Sequence, residues 1–214
     1  MSTGRIDLRI LLYSCLVIIF VEIITRFAIV HAAMPDLLVI GAARIIETSL
    51  LIVIVSHWGE GLSSVGLDSN LFFEKLYRGF IWSAAFACIG GLSLFAIHSL
   101  SQYPLINFRI SLPENSIDII LFFLVGGLIA PITEELLFRG ILYGFLRQWG
   151  ILLAVGGSTF IFSLVHYLTG NLQPTQVIGG LVFALAYEKE KHLIVPIVIH
   201  VLGNLAIFTY ALLV

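Results

Sequence analysis

Long apolar stretches alternate with short polar segments along almost the whole chain. A bilayer core of ~30 Å is crossed by about 20 mostly apolar residues in an α-helix. On that rule the pattern predicts an all-α fold, a polytopic membrane helix bundle with about seven transmembrane spans. The predicted spans are residues 8–30, 37–56, 79–100, 118–146, 151–168, 173–187 and 193–213.

The segments between these spans are short, apart from residues 57–78 and 101–117. Residues 57–78 mix aromatic with charged side chains, which is typical of an amphipathic segment at the membrane interface. The sixth span is short and begins near Pro174. Because there is no low-complexity segment, long linker or clear internal repeat, we interpret residues 1–214 as a single membrane domain.

The composition supports a membrane protein and narrows its partners. Hydrophobic residues make up 59% of the chain and charged residues 11%, whereas soluble domains carry about 25% charged residues. The formal net charge of −2 indicates that nucleic acid is not a partner. Cys15 and Cys88 fall inside apolar spans, so we predict buried thiols without a disulfide or a redox role.

Basic residues are distributed unevenly between the two predicted sides of the membrane. With the N-terminus inside, seven of the 11 lysines and arginines lie in inner segments, one lies in an outer loop and three lie within spans. Positive charge favours the cytoplasmic side, so we predict a cytoplasmic N-terminus and an external C-terminus. The inner residues are Arg5, Arg9, Lys75, Arg78, Arg147, Lys189 and Lys191, and the outer one is Arg109.

The segment from Ala130 to Arg139 is the most unusual part of the chain because it places three charges inside an apolar span. Each charge costs at least ~2.5 kcal/mol on membrane-insertion scales. Glu135 and Arg139 are four residues apart, so they share a helical face and are expected to pair. Glu134 is rotated by roughly 100° from Glu135 and has no local partner. We interpret it either as a structural polar contact or as a general base.

Other charged residues within spans have simpler interpretations. Arg26 lies four residues from Glu22, and Arg44 lies three residues from Glu47. Each pair is expected to neutralise itself on its own helix. His31, His57, His98 and His192 lie at span ends, and we interpret them as interfacial histidines without a role.

Two further histidines and an asparagine fall at mid-membrane depth, together with Glu134. His166 follows Phe162 by four residues, and His200 precedes Asn204 by four. A carboxylate and an imidazole can orient a water and take its proton. An amide and a second imidazole can stabilise an oxyanion. Two histidines and a glutamate could instead form a three-ligand zinc site.

These residues resemble the motifs of the CAAX protease and bacteriocin-processing (Abi, or CPBP) family of intramembrane proteases. The family pattern is Glu-Glu-x-x-x-Arg, then Phe-x-x-x-His, then His-x-x-x-Asn. In this chain all three motifs occur in order within residues 118–214, which the resemblance identifies as the catalytic core, whereas residues 1–117 correspond to variable N-terminal spans. The matching residues are Glu134, Glu135, Arg139, Phe162, His166, His200 and Asn204.

The resemblance implies an intramembrane endopeptidase in a bacterial or archaeal cell membrane. Its partners would be the lipid bilayer and a membrane-associated or secreted protein or peptide substrate. Carried over by position, Glu134 and His166 would activate water, and His200 and Asn204 would hold the oxyanion. Glu135, Arg139 and Phe162 would support the site.

The cofactor and the function each leave an alternative open. We favour a mechanism without a metal cofactor, because an asparagine amide is a poor zinc ligand and a good hydrogen-bond donor. The alternative is zinc bound by Glu134, His166 and His200. The alternative functions are a small transporter that uses the same polar groups as a proton or ion path, and a non-catalytic immunity or scaffold protein.

Overall fold

The structure is a computed structural model that describes residues 6–31, 35–100, 111–169 and 172–213. The described residues form seven long helices and no strand, which confirms the predicted all-α fold. Two short 3₁₀ segments, Leu62–Val65 and Ser69–Leu71, lie between the second and third helices. The helices are α1 Leu8–His31, α2 Asp36–Trp58, α3 Phe72–Leu100, α4 Ser116–Trp149, α5 Ile151–Leu168, α6 Pro174–Glu190 and α7 Ile194–Leu213.

Within the described residues, five of these helices (α1, α2, α4, α5 and α7) are long and apolar enough to cross a membrane. Of the other two predicted spans, residues 79–100 lie within α3, and residues 173–187 lie within α6 apart from Gln173, which caps it. Helix α6 has 17 residues, which corresponds to about 25 Å of rise. Large apolar side chains cover the outer surface of the bundle, as expected for a surface that faces lipid. The protein is therefore an integral membrane protein.

The two cysteines differ from the sequence-based prediction. Cys15 and Cys88 are free, as predicted, but both are exposed on the surface of the bundle and not buried. An apolar span has one face towards the core and another towards lipid, and composition alone does not distinguish these faces.

Contacts between loops place one end of each helix at a common end of the bundle. Ile6 lies where a Cβ on Gly144 would meet it at 2.8 Å, and Leu193 N–H donates to the Gly66 carbonyl over 2.8 Å. In a chain that crosses a membrane seven times, the start of the first helix and the loops after the second, fourth and sixth helices lie on the same side. The contacts seen here have this arrangement. Arg5 and Arg109, which entered the charge count, lie outside the described residues, and the orientation stays a prediction.

Helix α4 lies centrally and contacts α2, α5 and α7. A single cluster of buried side chains joins α1 and α2 to α4, α6 and the start of α7. The polar groups on α4 are therefore enclosed by helices from both the N-terminal and the C-terminal parts of the chain.

Two π-helical segments interrupt α4, at Val125–Ile129 and Leu136–Tyr143. Pro131 lies two residues after the end of the first segment. Its ring removes a backbone N–H and crowds the preceding turn, which favours irregular geometry there. Glu134 and Glu135 close the α-helical turn Ala130–Glu135 between the two π segments. Such π bulges occur frequently at functional sites.

Candidate active site

The predicted pair between Glu135 and Arg139 is confirmed. An Arg139 Nη donates to Glu135 Oε1 over 2.9 Å, and both side chains are fully buried. The other Nη of Arg139 donates to the Gly180 carbonyl on α6 over 3.1 Å. A Cβ on Gly180 would lie 3.2 Å from the ring of Phe162, so the glycine permits this close approach. Arg139 therefore ties α6 to the motif on α4.

Aromatic rings surround the Arg139 guanidinium. Its Cζ lies 4.6 Å from the centroid of Phe162, 5.2 Å from Phe183 and 5.9 Å from Phe138. Cation–π attraction is strongest where the cation is desolvated. Phe162, which the motif singled out, thus packs directly against the charge that Arg139 holds inside the membrane.

His200 lies between the two adjacent glutamates. Its Nδ1 is 2.8 Å from Glu135 Oε1, and its Nε2 is 3.8 Å from Glu134 Oε2. Because the Glu135 carboxylate pairs with Arg139 and only accepts hydrogen bonds, Nδ1 carries the proton. The Phe183 ring stacks on the imidazole at 4.6 Å. His200 is therefore fixed in orientation, with Nε2 directed towards Glu134.

Glu134 has the environment expected of a reactive carboxylate. Its side chain is 26% exposed, and its buried Oε2 has no hydrogen-bond partner among the described residues. Most buried polar atoms have such a partner. His200 Nε2 lies 3.8 Å away across the site, and no side chain of the described residues donates a hydrogen bond to this oxygen.

His166 is placed differently from His200. Its Nδ1 bonds to the Phe162 carbonyl of its own helix over 2.9 Å, and no ion pair or hydrogen bond joins it to Glu134 in the described part of the chain. The centroid of the Phe162 ring lies 4.4 Å from that of His166 and 6.1 Å from that of His200. The structure thus brings Glu134 together with His200, whereas no such contact joins Glu134 to His166 within the described residues.

Asn204 contacts the backbone of α4. Its Nδ2 donates to the Gly126 carbonyl over 2.9 Å. Gly126 lies in the first π segment, eight residues before Glu134. This contact was not foreseen from the sequence, because the loss of a helical hydrogen bond at Gly126 depends on the local backbone geometry.

The prediction that Glu22 pairs with Arg26 is wrong. Glu22 instead pairs across helices with Arg44, which also pairs with Glu47 as predicted. Glu47 is fully buried, and its Oε1 has no hydrogen-bond partner among the described residues. Local spacing offered only Arg26 as a partner for Glu22, and it is the packing of α1 on α2 that brings Arg44 to Glu22.

A chain of hydroxyl contacts connects this Glu22–Arg44–Glu47 cluster to the motif on α4. Thr48 Oγ1 lies 2.7 Å from Thr133 Oγ1, and Thr133 Oγ1 donates to the Arg44 carbonyl over 3.0 Å. Thr133 directly precedes Glu134. The sequence did contain a signal for this cluster: Glu22, Arg44 and Glu47 are charged residues inside the first two predicted spans.

His192 also differs from its interpretation as an interfacial histidine. It is buried, its Nε2 lies 3.1 Å from the Asp68 carbonyl, and its Nδ1 accepts from Ile194 N–H over 3.3 Å. It thus anchors the loop after α2 to the turn between α6 and α7, away from the motif residues.

The side chains proposed for zinc do not form a three-ligand group. No cluster of three or more His, Cys, Asp or Glu side chains with metal-binding spacing occurs within the described residues. Glu134 and His200 alone provide two donors, whereas catalytic zinc sites use three protein ligands. The side-chain arrangement does not fit the zinc alternative, and we derive no step through a metal.

Comparison with known proteins finds a family match in the C-terminal half of the chain and a bacterial relative. Residues 116–206 match the family described as type II CAAX prenyl endopeptidase Rce1-like. The membrane-embedded CAAX protease MroQ of Staphylococcus aureus (strain USA300) is 34% identical over 106 residues, which is 46% of this chain and 42% of the relative. The match therefore spans about two fifths of that relative's length. No solved structure matches.

The family match falls on the helices that carry all three motifs and that bring Glu134, Glu135, Arg139 and His200 together. Over residues 116–206, the chain is therefore similar to the type II CAAX prenyl endopeptidase Rce1-like family.

Proposed function

We propose that this protein is an intramembrane endopeptidase that hydrolyses a peptide bond of a membrane-associated or secreted protein. The observation that carries the proposal is the approach of Glu134 Oε2 to within 3.8 Å of His200 Nε2. Glu134 Oε2 is a carboxylate oxygen that receives no hydrogen bond from the described residues. His200 Nε2 belongs to an imidazole that is already held by Glu135.

Glu134 is the general base in this mechanism. A water beside the pair can donate to Glu134 Oε2 while it lies within ~3 Å of His200 Nε2, a normal hydrogen-bond distance. Proton transfer to Glu134 generates the hydroxide that attacks the carbonyl carbon of the scissile bond. Positioned acid–base groups of this kind contribute typically ~10²–10⁴-fold in rate.

The attack converts the substrate carbonyl into a tetrahedral oxyanion. When this intermediate collapses, the C–N bond breaks, and Glu134 returns its proton to the leaving amine. The products are a carboxylate and an amine, and Glu134 is regenerated. Because Nδ1 of His200 already carries a proton, His200 can donate to the oxyanion through Nε2 only when the ring is doubly protonated. The family resemblance adds Asn204 as a donor to the oxyanion.

Glu135 and Arg139 support the reaction without contacting the substrate. Glu135 fixes the proton of His200 on Nδ1 and thereby directs Nε2 to the reacting centre. A carboxylate orients a histidine in the same way in catalytic triads. Arg139 neutralises Glu135 inside the membrane and links it to α6 through Gly180.

The proposed substrate class follows from the location of the site within the bundle and from its relatives. The S. aureus relative is described as a membrane-embedded CAAX protease. A site enclosed by membrane helices is reached most readily by a substrate segment that is itself associated with the bilayer. We therefore propose a membrane-associated or secreted protein or peptide, in the cell membrane of a bacterium or archaeon.

Quantitative membrane proteomics tests the proposal. Cells that carry the Glu134→Gln variant should accumulate at least one uncleaved membrane or secreted protein, with loss of its cleaved form. A matched control is Glu60→Gln, which removes an exposed carboxylate in the loop after α2. Identical profiles for wild type and Glu134→Gln, with equal amounts of both proteins in the membrane, would refute a protease role.

A further inference from the structure

The first π segment of α4 leaves one backbone carbonyl without its usual donor. In an α-helix the N–H of Ala130 would donate to the carbonyl of Gly126, four residues earlier. Here Ala130 N–H donates instead to the Val125 carbonyl, five residues earlier. The α-helical donor to Gly126 is therefore used elsewhere.

The next residue removes the alternative donor. In the π pattern, the group that would reach the Gly126 carbonyl is the backbone nitrogen of residue 131. That residue is Pro131, which has no N–H. The Gly126 carbonyl thus has neither an α-helical nor a π-helical donor, and an unpaired carbonyl in a membrane helix is costly.

Asn204 supplies the donor that the helix lacks. Its Nδ2 lies 2.9 Å from the Gly126 carbonyl oxygen. Helix α7 also packs tightly at this point, because a Cβ on Gly127 would lie 2.7 Å from Leu205 and one on Gly126 would lie 3.4 Å from Phe208. The amide of Asn204 is therefore held against the π segment by the packing around it.

The bulge affects the orientation of Glu134. A π segment inserts one residue relative to a regular α-helix, and one residue corresponds to a rotation of roughly 100°. Glu134 follows the bulge on the same helix, so its direction towards His200 depends on whether the bulge is kept. Asn204 and His200 lie one turn apart on α7, so the contact at Gly126 also fixes α7 relative to α4.

We propose that Asn204 is a positioning residue. By donating to the Gly126 carbonyl, it maintains the π segment that directs Glu134 towards His200. This assigns its amide to the backbone of α4, whereas the motif resemblance assigns it to the oxyanion. The activity readout of this proposal rests on the proposed protease function, whereas its stability readout does not.

A double-mutant cycle between residues 204 and 131 tests the proposal. Asn204→Leu removes the donor and keeps a similar volume. Pro131→Ala adds a backbone N–H in the π register, where it can donate to the Gly126 carbonyl. If Asn204 acts through this carbonyl, Pro131→Ala should rescue Asn204→Leu. If Asn204 instead donates to the oxyanion, a new N–H at residue 131 cannot replace it.

Both readouts use the full-length protein. Thermal unfolding in detergent should show a lower apparent Tm for Asn204→Leu, by about 2–6 °C for a chain of this size. At least half of this loss should be recovered in the double variant. The second readout is the amount of the uncleaved protein identified with Glu134→Gln, normalised to folded enzyme. It should rise in Asn204→Leu and fall again by about tenfold or more in the double variant.

The possible outcomes separate the two proposals. Recovery of both Tm and cleavage in the double variant supports the positioning role. If the double variant recovers Tm but the wild type itself shows no cleavage, the role of the Gly126 contact is supported and the protease function is refuted. A double variant that is folded but no more stable and no more active than Asn204→Leu overturns the positioning role. If Asn204→Leu does not fold, failure of Pro131→Ala to restore folded protein also overturns it.

Discussion

At the residue scale, Glu134 and Glu135 are adjacent in sequence but differ in their surroundings. Glu135 is fully buried and accepts from both Arg139 and His200. Glu134 is 26% exposed, and its buried Oε2 has no hydrogen-bond partner within the described residues. The same side chain therefore has a structural role at one position and is available for reaction at the next.

Substitution by glutamine should separate these two roles. Glu134→Gln removes the base but no ion pair, so cleavage should fall by ~10²-fold or more while the protein remains folded. Glu135→Gln leaves Arg139 buried without its counter-charge, which typically costs ~3–5 kcal/mol. Thermal unfolding in detergent and the proteomic cleavage readout, applied to both variants, measure the difference. Normal cleavage by Glu134→Gln would contradict its assignment as the base.

The response to chelators tests whether the mechanism needs a metal. Because Glu134, His166 and His200 do not form a three-ligand group in the described structure, we expect cleavage by the purified protein to be unchanged by a strong chelator. Elemental analysis of the purified protein provides the independent measurement. Stoichiometric zinc, together with cleavage that chelation abolishes and zinc restores, would overturn the metal-free mechanism while leaving the protease assignment intact.

At the element scale, the ion pairs between helices matter more than those within one helix. Arg44 joins α1 to α2 through Glu22 and Glu47. Glu188, at the end of α6, accepts from two nitrogens of Arg147 at 3.0 Å each and also pairs with Lys191. The first cluster stabilises the helices next to the site, and the second stabilises the turn at the other end of α4.

Arg44 and Arg26 offer a matched comparison of this effect. Arg44→Met leaves two carboxylates without their common partner, one of them fully buried, so the apparent Tm should fall substantially. Arg26→Met changes an exposed side chain on α1 that does not pair with Glu22. It should change the apparent Tm by little. Equal effects of the two substitutions on thermal unfolding would refute the cross-helix pair.

The Glu188 cluster predicts a specific dependence of stability on pH. Partial burial raises the pKa of Glu188, but hydrogen bonds from Arg147, Lys191 and Tyr143 outweigh it and lower the pKa from 4.5 to about 2. A carboxyl group with a lowered folded-state pKa stabilises the fold above its unfolded pKa, and this contribution is lost as the pH falls. The loss should therefore occur between pH 4.5 and about 2.

Thermal unfolding of wild type and Glu188→Gln across this range provides the measurement. The wild type should be the more stable protein above pH 5, and the difference in Tm should shrink as the pH falls towards about 3, because protonation of Glu188 removes the same charge as the substitution. A constant difference in Tm over this range would show that Glu188 does not titrate as proposed.

At the scale of the whole molecule, the N-terminal end of α1 and the loops after α2, α4 and α6 lie at one end of the bundle. Basic residues concentrate at this end, including Lys75, Arg78, Arg147, Lys189 and Lys191. The excess of positive charge predicts that this end faces the cytoplasm.

Cysteine-accessibility labelling tests this orientation. Cys15 and Cys88 are both exposed, so they should first be replaced by alanine. A single cysteine at Ser69 should then be labelled from the cytoplasmic side, and one at the C-terminus should be labelled from outside. Labelling of the C-terminus only from the cytoplasm would contradict an arrangement of seven crossings.

The sequence by itself determined the membrane class, the positions of the seven helices and the pairing of Glu135 with Arg139. These features depend on local quantities: runs of apolar residues set the helices, and a separation of four residues sets the pair. The motif residues were also identified from the sequence, because charged and polar groups inside an apolar span are costly and therefore conspicuous.

Only the tertiary structure decided which of these residues meet. It placed His200, and not His166, beside Glu134, paired Glu22 with Arg44, and directed Asn204 to the Gly126 carbonyl. It also placed Cys15 and Cys88 on the outer surface. Each of these outcomes depends on how one helix is rotated and positioned against another. A π bulge changes that rotation by about one residue, and the spacing of residues along a single helix does not contain this information.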